Sequence, residues 1–380
     1  MTDARHVRKD RATFIFFALL AVILILLPTG FSKQLFKNAE GVKARVVRVD
    51  DSRLYYTGII TQGEQSATLD VLSGRHRGET VTGINLMSGS IERDKRFKAG
   101  DLAYVIIEQS DAGEVTFATM VDYDRIGPEI WLAVAFAALL MVFSGWRGMR
   151  TLLGVAVTFL LIWKVLIPGM LKGYQPLLLA LLIGNAITLV ILLLVTGYSR
   201  VTFTALVASA GSSLLTGLLA VLMTAVFRLN GTVMLDAEGL LHAGFQHLNL
   251  TAILQAGMYL ACAGAVMDMA VDIAASLQEI RLKAPDVSHG ELLRSGIRIG
   301  RAVVGTQTIT LILAYIGNYL SVMMVYMAQG TGYRSILTSR HIAAEILSTL
   351  VGCVGIVLVS PLTSLIGAYV MQPPVKERAG

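Results

Sequence analysis

Two aspartates, Asp268 and Asp272, lie four residues apart inside a long apolar stretch of the chain. At 100° per residue their side chains are about 40° apart around a helix, so both belong to one face. Carboxylates at this spacing can hold a cation between them, share a proton, or exchange one for the other during transport. The pair is therefore the first candidate for an ion or substrate site, and for a metal site if a cation binds there.

The face that carries the aspartates continues into small residues at Gly257, Ala261 and Gly264. Small side chains let the backbone of another helix approach closely within a membrane. The next apolar stretch carries Gln307 and Thr310 on a stripe of polar and small residues, at a similar distance from the inner surface by helical rise. We expect both side chains to reach the aspartates if the two helices pack along their small stripes.

Two more polar groups lie in other apolar stretches, at Glu345 and Asn185. Glu345 is expected near the outer surface, where it either adds a second acidic point to a proton or cation path or pairs with Arg340 at the interface. Asn185 follows Gly184, and either contacts substrate directly or forms a hydrogen bond between helices. Both residues are candidates for the binding site.

The elements that position these residues are predicted to be membrane helices. The 380 residues are 54% hydrophobic and only 15% charged, which argues against a purely soluble enzyme. About 20 apolar residues in a helix cross a hydrocarbon core of about 30 Å, so each long apolar run predicts one crossing. Eight runs meet this length, at 12–31, 128–146, 151–169, 176–197, 202–227, 250–275, 302–327 and 342–371.

The distribution of Lys and Arg predicts the orientation of these helices. With the N-terminus inside, fourteen of these cations fall on the termini and short cytoplasmic segments, and four on the short outer ones. We therefore expect a plasma or inner membrane protein with both termini in the cytoplasm. Leu27 is not followed by an Ala-x-Ala pattern, which favours an uncleaved signal anchor; cleavage would leave seven helices.

Residues 32–127 form the only predicted soluble segment, and they alternate apolar and polar residues with period two. Strands are predicted near 43–49, 54–61, 67–71, 80–86, 102–108 and 115–121. We expect a small β-barrel or sandwich, with an OB-like barrel preferred. No interleaved aromatic and basic pattern indicates binding of nucleic acid.

The sequence thus predicts an α-helical polytopic membrane protein of about eight transmembrane helices, with a small extracytoplasmic β-rich domain after the first helix. Four segments follow from this organisation. They are a cytoplasmic N-terminus with its anchor helix at 1–31, the β-rich domain at 32–127, a seven-helix transmembrane domain at 128–371 and a cytoplasmic tail at 372–380.

Enzymatic motifs are missing from the sequence. It has no His-Glu-x-x-His, no Gly-x-Ser-x-Gly and no Walker-type phosphate loop, so we predict neither an enzyme nor direct use of ATP, and we predict no cofactor. Cys262 and Cys353 form no Cys-x-x-Cys pair and are expected to pack in the membrane region. His242 and His247 are five apart, which is not the spacing that places two ligands on one helical face.

Four segments of the membrane region match a known family pattern: Gly264–Glu279, Gly300-Arg301, Gly305-Thr306 and Leu311–Gly317. Through these segments the membrane region resembles the YibE/F-like family of integral membrane proteins, and the architecture is similar to that of its YibE-type member. The resemblance implies a multi-pass membrane protein of a permease kind, without fixing a substrate. The sequence departs from the family pattern at Gly305-Thr306-Gln307-Thr308-Ile309-Thr310, where Gly-Thr-Met-Thr-Asn-Thr is expected, so the amide of Gln307 stands at a different position.

Two hypotheses of function follow. The first is a membrane permease or ion-coupled secondary transporter that uses intramembrane acidic residues, with an unspecified substrate. The alternative is a non-transporting envelope assembly or sensor protein whose outer β domain binds a partner. The partners that fit these hypotheses are the lipid bilayer, a second copy or a paired membrane protein, and an envelope partner of the β domain.

Overall fold

The computed structural model of the chain describes residues 2–31, 38–110 and 113–371, with only the backbone for 2–10. The predicted cytoplasmic tail, residues 372–380, lies outside these ranges. Two compact units divide the chain: Met1–Thr29 together with Met141–Gly380, and Gly30–Leu140. The two units are described separately below.

A small closed β-barrel forms most of the second unit, which confirms the predicted β-rich segment. Its strands follow the order β1-β2-β3-β5-β4 around the barrel, and β3 and β5 are the parallel pair. Side chains from alternating positions, such as Val42, Ala44 and Val46, fill its core. The strands are β1 Ala39–Thr57, β2 Ile60–Val71, β3 Thr80–Ser88, β4 Leu102–Gln109 and β5 Val115–Tyr123.

One predicted strand, at 54–61, is wrong, while the other five fall within observed strands. Residues 54–57 end β1, the chain turns at Gly58, and β2 begins at Ile60. Gly58 has φ +61°, a conformation that glycine adopts most easily. Aromatic and β-branched residues flank this glycine on both sides, so the pattern alone indicates one continuous strand.

The remainder of the described chain is mainly helical. Six helical segments are long and apolar enough to cross a membrane, which indicates a membrane protein; one of the six is the continuous stretch Ile126–Leu171. The helices are α1 Thr2–Leu26, α2 Ile126–Leu161, α3 Ile167–Leu171, α4 Pro176–Val195, α5 Arg200–Val226, α6 Ala237–His242, α7 Leu250–Lys283, α8 His289–Ala328, α9 Tyr333–Thr338 and α10 Arg340–Val370.

The second and third apolar runs of the sequence are joined without a loop. The chain stays helical through residues 147–150 and changes direction instead at Gly145, where φ is 53° and ψ is −129°. A π-helical turn at Ile162–Leu166 then connects α2 to α3. The boundary between the two runs is therefore a glycine kink.

Helix α1 packs as a member of the helical unit. Its residues Phe17 and Leu24 are buried in one apolar cluster with Val157 of α2 and Leu194 of α4. The Nζ of Lys164 donates hydrogen bonds to the carbonyls of residues 25 and 27, at 3.2 and 3.0 Å. Because the last carbonyls of a helix have no partner within it, the lysine caps the end of α1.

Helix α7 lies at the centre of the largest core cluster, with buried side chains such as Val266, Met269 and Ile273. Two glycines let α8 approach this core. A Cβ added to Gly300 would lie 1.8 Å from Ser360 Oγ and 3.3 Å from Ile273 Cδ1, and Gly296 is similarly close to α7 and α10. Side chains at these two positions would separate the helices.

Candidate functional site

The aspartate pair lies on the surface of α7. Asp268 and Asp272 are both exposed, within electrostatic reach of each other. The buried side chains Val266 and Ile273 lie about 100° or more away from both aspartates around the helix. The predicted shared face of the carboxylates is confirmed, and the structure places that face away from the core.

The expected packing along the two small stripes is wrong. A Cβ added to Gly257 or Gly264 of α7, or to Gly317 of α8, meets no atom within 4 Å. The two helices pack instead through Gly296 and Gly300, a second set of small residues nearer the start of α8. The sequence contains both sets, and their spacing does not decide which one packs.

Gln307 and Thr310 form no hydrogen bond to the aspartate pair among the described residues. Thr310 is exposed and its Oγ1 donates to the carbonyl of Thr306 at 2.9 Å. Gln307 is half-buried on α8, and no hydrogen bond connects it to Asp268 within the described part of the chain. Their role in binding stays a prediction from the sequence.

Glu345 lies between α10 and α8. It is half-buried, and its carboxylate faces the hydroxyl of Tyr319 on α8. Tyr315, one turn earlier, lies near Cys262 and Cys353, and its buried hydroxyl has no hydrogen-bond partner among the described residues. Glu345 forms no ion pair with Arg340 there, so the interfacial pairing considered for it is not observed.

Asn185 lies on α4 and does not make the expected bond to another helix. Its Nδ2 donates to the carbonyl of Leu181 at 2.7 Å, within α4 itself. Its Oδ1 is buried without a partner in the described structure. The close contact at this level belongs to Gly184, where an added Cβ would lie 2.4 Å from the hydroxyl of Tyr259 on α7.

A set of buried hydroxyl groups, which the sequence analysis missed, lines α5 and α10. The two helices touch at Ser212, whose Oγ donates to the carbonyl of Gly355 at 2.8 Å, and at Thr204, which lies against Gly367. We call this set the hydroxyl seam. Its members are Thr204, Ser209, Ser212, Ser213 and Thr216 of α5, and Ser348 and Thr363 of α10. The buried Ser360 and Ser364 of α10 lie instead against Gly300 and Gly296 of α8.

Two hydroxyls of the seam are unsatisfied. Most of the others donate to carbonyls of their own helix, as Thr216 does to Ser212 and Thr363 to Val359. Thr204 and Ser209 are 0% and 2% exposed, and their hydroxyls have no partner among the described residues. A buried polar group without a hydrogen bond costs about 1–3 kcal/mol, so both hydroxyls favour contact with a further polar group.

A signal for the seam exists in the sequence. Ser209, Ser212, Ser213 and Thr216 stand at positions i, i+3, i+4 and i+7, which is one helical stripe. An acidic residue in a membrane helix is a stronger indication of function than a hydroxyl, because burying a charge is costly, whereas buried hydroxyls are common in membrane helices.

Cys, His, Asp and Glu side chains do not gather into a metal cluster. Within residues 2–31, 38–110 and 113–371, no three of them are placed to hold a metal ion together. Cys262 and Cys353 are free, buried thiols. The described site is thus a set of separate places: the acidic face of α7, Glu345 beside Tyr319, Asn185 on α4, and the hydroxyl seam.

Comparison with known proteins gives one match. The family model described as YibE/F-like protein matches residues 132–373, which is more than half of the chain. No curated protein and no solved structure matches.

Proposed function

Because the chain belongs to the YibE/F-like family, whose description names no activity, we propose its function from its own residues: it is an ion-coupled membrane permease. A polar solute or ion passes along the hydroxyl seam between α5 and α10. Glu345 supplies the carboxylate that couples this movement to an ion. The observation that carries the proposal is the pair of buried, unsatisfied hydroxyls at Thr204 and Ser209.

The chemistry of the seam suits a polar cargo. A hydroxyl both donates and accepts hydrogen bonds, so a row of them can replace the water that a solute loses on entering the membrane. Hydroxyls that already donate to a helix carbonyl keep a lone pair free to accept, as at Thr216 and Thr363. A role in helix packing alone predicts satisfied hydroxyls, and two of these are not.

Glu345 suits the coupling role by its position on α10. It lies on the same face of α10 as the seam residue Thr363, which has the same direction at 100° per residue, and its carboxylate faces Tyr319 of α8. A charged carboxylate is costly inside a membrane, and a bound proton or cation neutralises its charge. Binding of the ion therefore favours the conformations in which Glu345 is exposed to the membrane interior. Asp268 and Asp272 are the other carboxylates of the helical unit considered for this role, and the experiment includes them.

The organisation of the molecule is part of the proposal. We propose about eight transmembrane helices, with the kinked segment Ile126–Leu171 counted as two and α1 as an uncleaved anchor. An arginine bonded to a helix carbonyl at one end of the bundle supports a cytoplasmic location for that end, as Arg200 is bonded to Val370. The closed strand order supports an OB-like barrel.

Flux through proteoliposomes tests the proposal. The purified protein is reconstituted, and proton flux is followed with a trapped pH dye under gradients of protons, sodium, potassium and magnesium. We expect flux above that of protein-free liposomes, and at least about a tenfold loss in Glu345→Gln because the coupling carboxylate is removed. Asp268→Asn with Asp272→Asn should keep the flux.

Two outcomes would contradict the proposal. One is wild-type flux equal to that of empty liposomes under every gradient. The other is full flux in Glu345→Gln together with loss in the double aspartate variant, which would move the ion site to α7. Glu114→Gln, at an exposed carboxylate of the barrel, is the matched control.

The assembly or sensor hypothesis remains the alternative. It predicts that deleting residues 36–124, with the anchor helix kept, abolishes the cellular role, whereas a permease would retain its flux. Complementation of a deletion strain by this variant separates the two hypotheses.

A further inference from the structure

Helix α8 is much less covered than its neighbours. Only Leu292, Gly296, Gly300 and Leu311 are buried along its 40 residues, whereas α10 buries fifteen of 31. Helix α7, beside it, exposes the face that carries Asp268 and Asp272. Together these helices present a surface that the described chain leaves without a protein neighbour.

This surface carries charges of both signs without partners. Asp268 and Asp272 are exposed on α7, and Arg298 and Arg301 are exposed on α8. Within the described residues none of the four takes part in an ion pair. An exposed carboxylate in a membrane helix is costly against lipid, so a partner for it is favoured.

The helix packing fixes the relative heights of these charges. Gly300 lies against Ile273, and Gly296 lies against Leu277. Arg301 follows Gly300 directly and Asp272 precedes Ile273 directly, so the two charged residues lie at nearly the same height along the bundle. A rotation about an axis along the bundle preserves this match.

We propose that a second copy of this chain covers the α7–α8 face, defined by Gly264, Asp268, Asp272, Arg298 and Arg301. A two-fold axis along the membrane normal keeps heights equal, so Asp272 of each copy meets Arg301 of the other. Opposite charges at matched height make the face complementary to itself, as an isologous interface requires. Gly264 and the small residues beyond it let the helices approach. The inference rests on this geometry and not on the proposed transport.

Charge reversal tests the pairing. The full-length protein in mild detergent is analysed by light scattering, and Gly264→Cys reports proximity in native membranes by cross-linking. The wild type should have the mass of a dimer. Asp272→Arg and Arg301→Asp should each weaken it on the order of a hundredfold, because each leaves like charges opposed. The double variant should recover the dimer, because both pairs re-form with reversed polarity.

Several results would overturn the inference. The first is a wild type that is monomeric in both detergent and membranes. The second is a dimer that persists in both single charge-reversal variants. The third is a double variant that stays monomeric although its melting temperature is unchanged. Arg334→Asp reverses an exposed charge on α9, away from the face, and should remain dimeric. Flux measured on the same variants is a separate readout, so failure of the dimer and failure of the permease are distinguishable.

Discussion

Arg150 shows how a single residue can hold two helices together. It is 7% exposed on α2, and its guanidinium Nη2 donates to the carbonyl of Leu193 near the end of α4, at 3.5 Å. A cation near the C-terminal end of a helix is favoured by the helix dipole. The sequence placed this residue among the cytoplasmic charges, where it counted toward orientation and not toward packing.

Replacing Arg150 should therefore cost stability. Arg150→Met keeps most of the apolar stem and removes the guanidinium, so we expect the free energy of unfolding in detergent to fall by about 1–2 kcal/mol. Thermal unfolding followed by circular dichroism measures the change. Arg147→Met, at the exposed arginine three residues earlier, should have little effect; equal losses in both variants would contradict the capping role.

The sequence predicts which residues share one face of a helix, because that depends on their spacing alone. It does not predict which faces of two neighbouring helices pack together. The spacing of Asp268 and Asp272 correctly gave a shared face. The expected helix packing along Gly264 and Gly317 is wrong, because α8 carries two sets of small residues and packs through Gly296 and Gly300 instead. Spacing fixes direction around one helix but not which helix lies opposite.

Asp124 controls a junction between elements, the two-residue connection from β5 to α2. Its carboxylate, 5% exposed, is 2.7 Å from Lys43 Nζ of β1 and also accepts a hydrogen bond from the backbone of Ile126. The lysine holds the pKa of Asp124 below its ordinary value of 3.8. The ionised form is therefore the one that the folded barrel favours.

The lowered pKa of Asp124 predicts how the stability of the barrel changes with pH. A carboxylate whose pKa is lowered by folding stabilises the fold above its unfolded pKa and loses that contribution as pH falls through the folded value. Asp124→Asn should destabilise the barrel by about 1 kcal/mol at neutral pH. The difference from the wild type should vanish as the pH falls through the lowered pKa of the folded state.

Hydrogen exchange of β1 and β5 in the full-length protein measures this difference. The wild type and Asp124→Asn are compared from neutral to acidic pH, with Glu114→Gln as a control at an exposed carboxylate that forms no ion pair among the described residues. A loss of protection that stays constant across the whole pH range would contradict the ionic contribution of Asp124.

Strands and helices were predicted correctly where their sequence pattern continues over many residues. Period-two alternation located five strands, and apolar length located the long helices. The turn at Gly58 was missed because residues with high strand propensity flank it. The break between the second and third apolar runs was predicted at residues 147–150, which carry two arginines, whereas the structure keeps these residues helical and bends the chain at Gly145.

At the scale of the whole molecule, the helical unit contains two separate polar regions. The α7–α8 face is exposed and charged, and we assign it to a second copy. The hydroxyl seam is buried and neutral, and we assign it to the transported solute. The acidic stripe of α7 is the most conspicuous polar pattern in the sequence and therefore predicts a transport site there, whereas the packing of α5 against α10 buries the less conspicuous hydroxyl pattern.

The reaction of a cysteine placed in the seam tests the central claim most directly. Ser209→Cys on α5 and Ala180→Cys in an apolar cluster on α4 place a thiol at positions that are 2% and 0% exposed, and the parent protein with its buried Cys262 and Cys353 gives the background. If the seam is a path for polar solutes, a small charged thiol reagent should modify Ser209→Cys at least about tenfold faster than Ala180→Cys, because thiols react as thiolates in polar, accessible surroundings. Equal, background-level rates at both positions would contradict a polar path between α5 and α10.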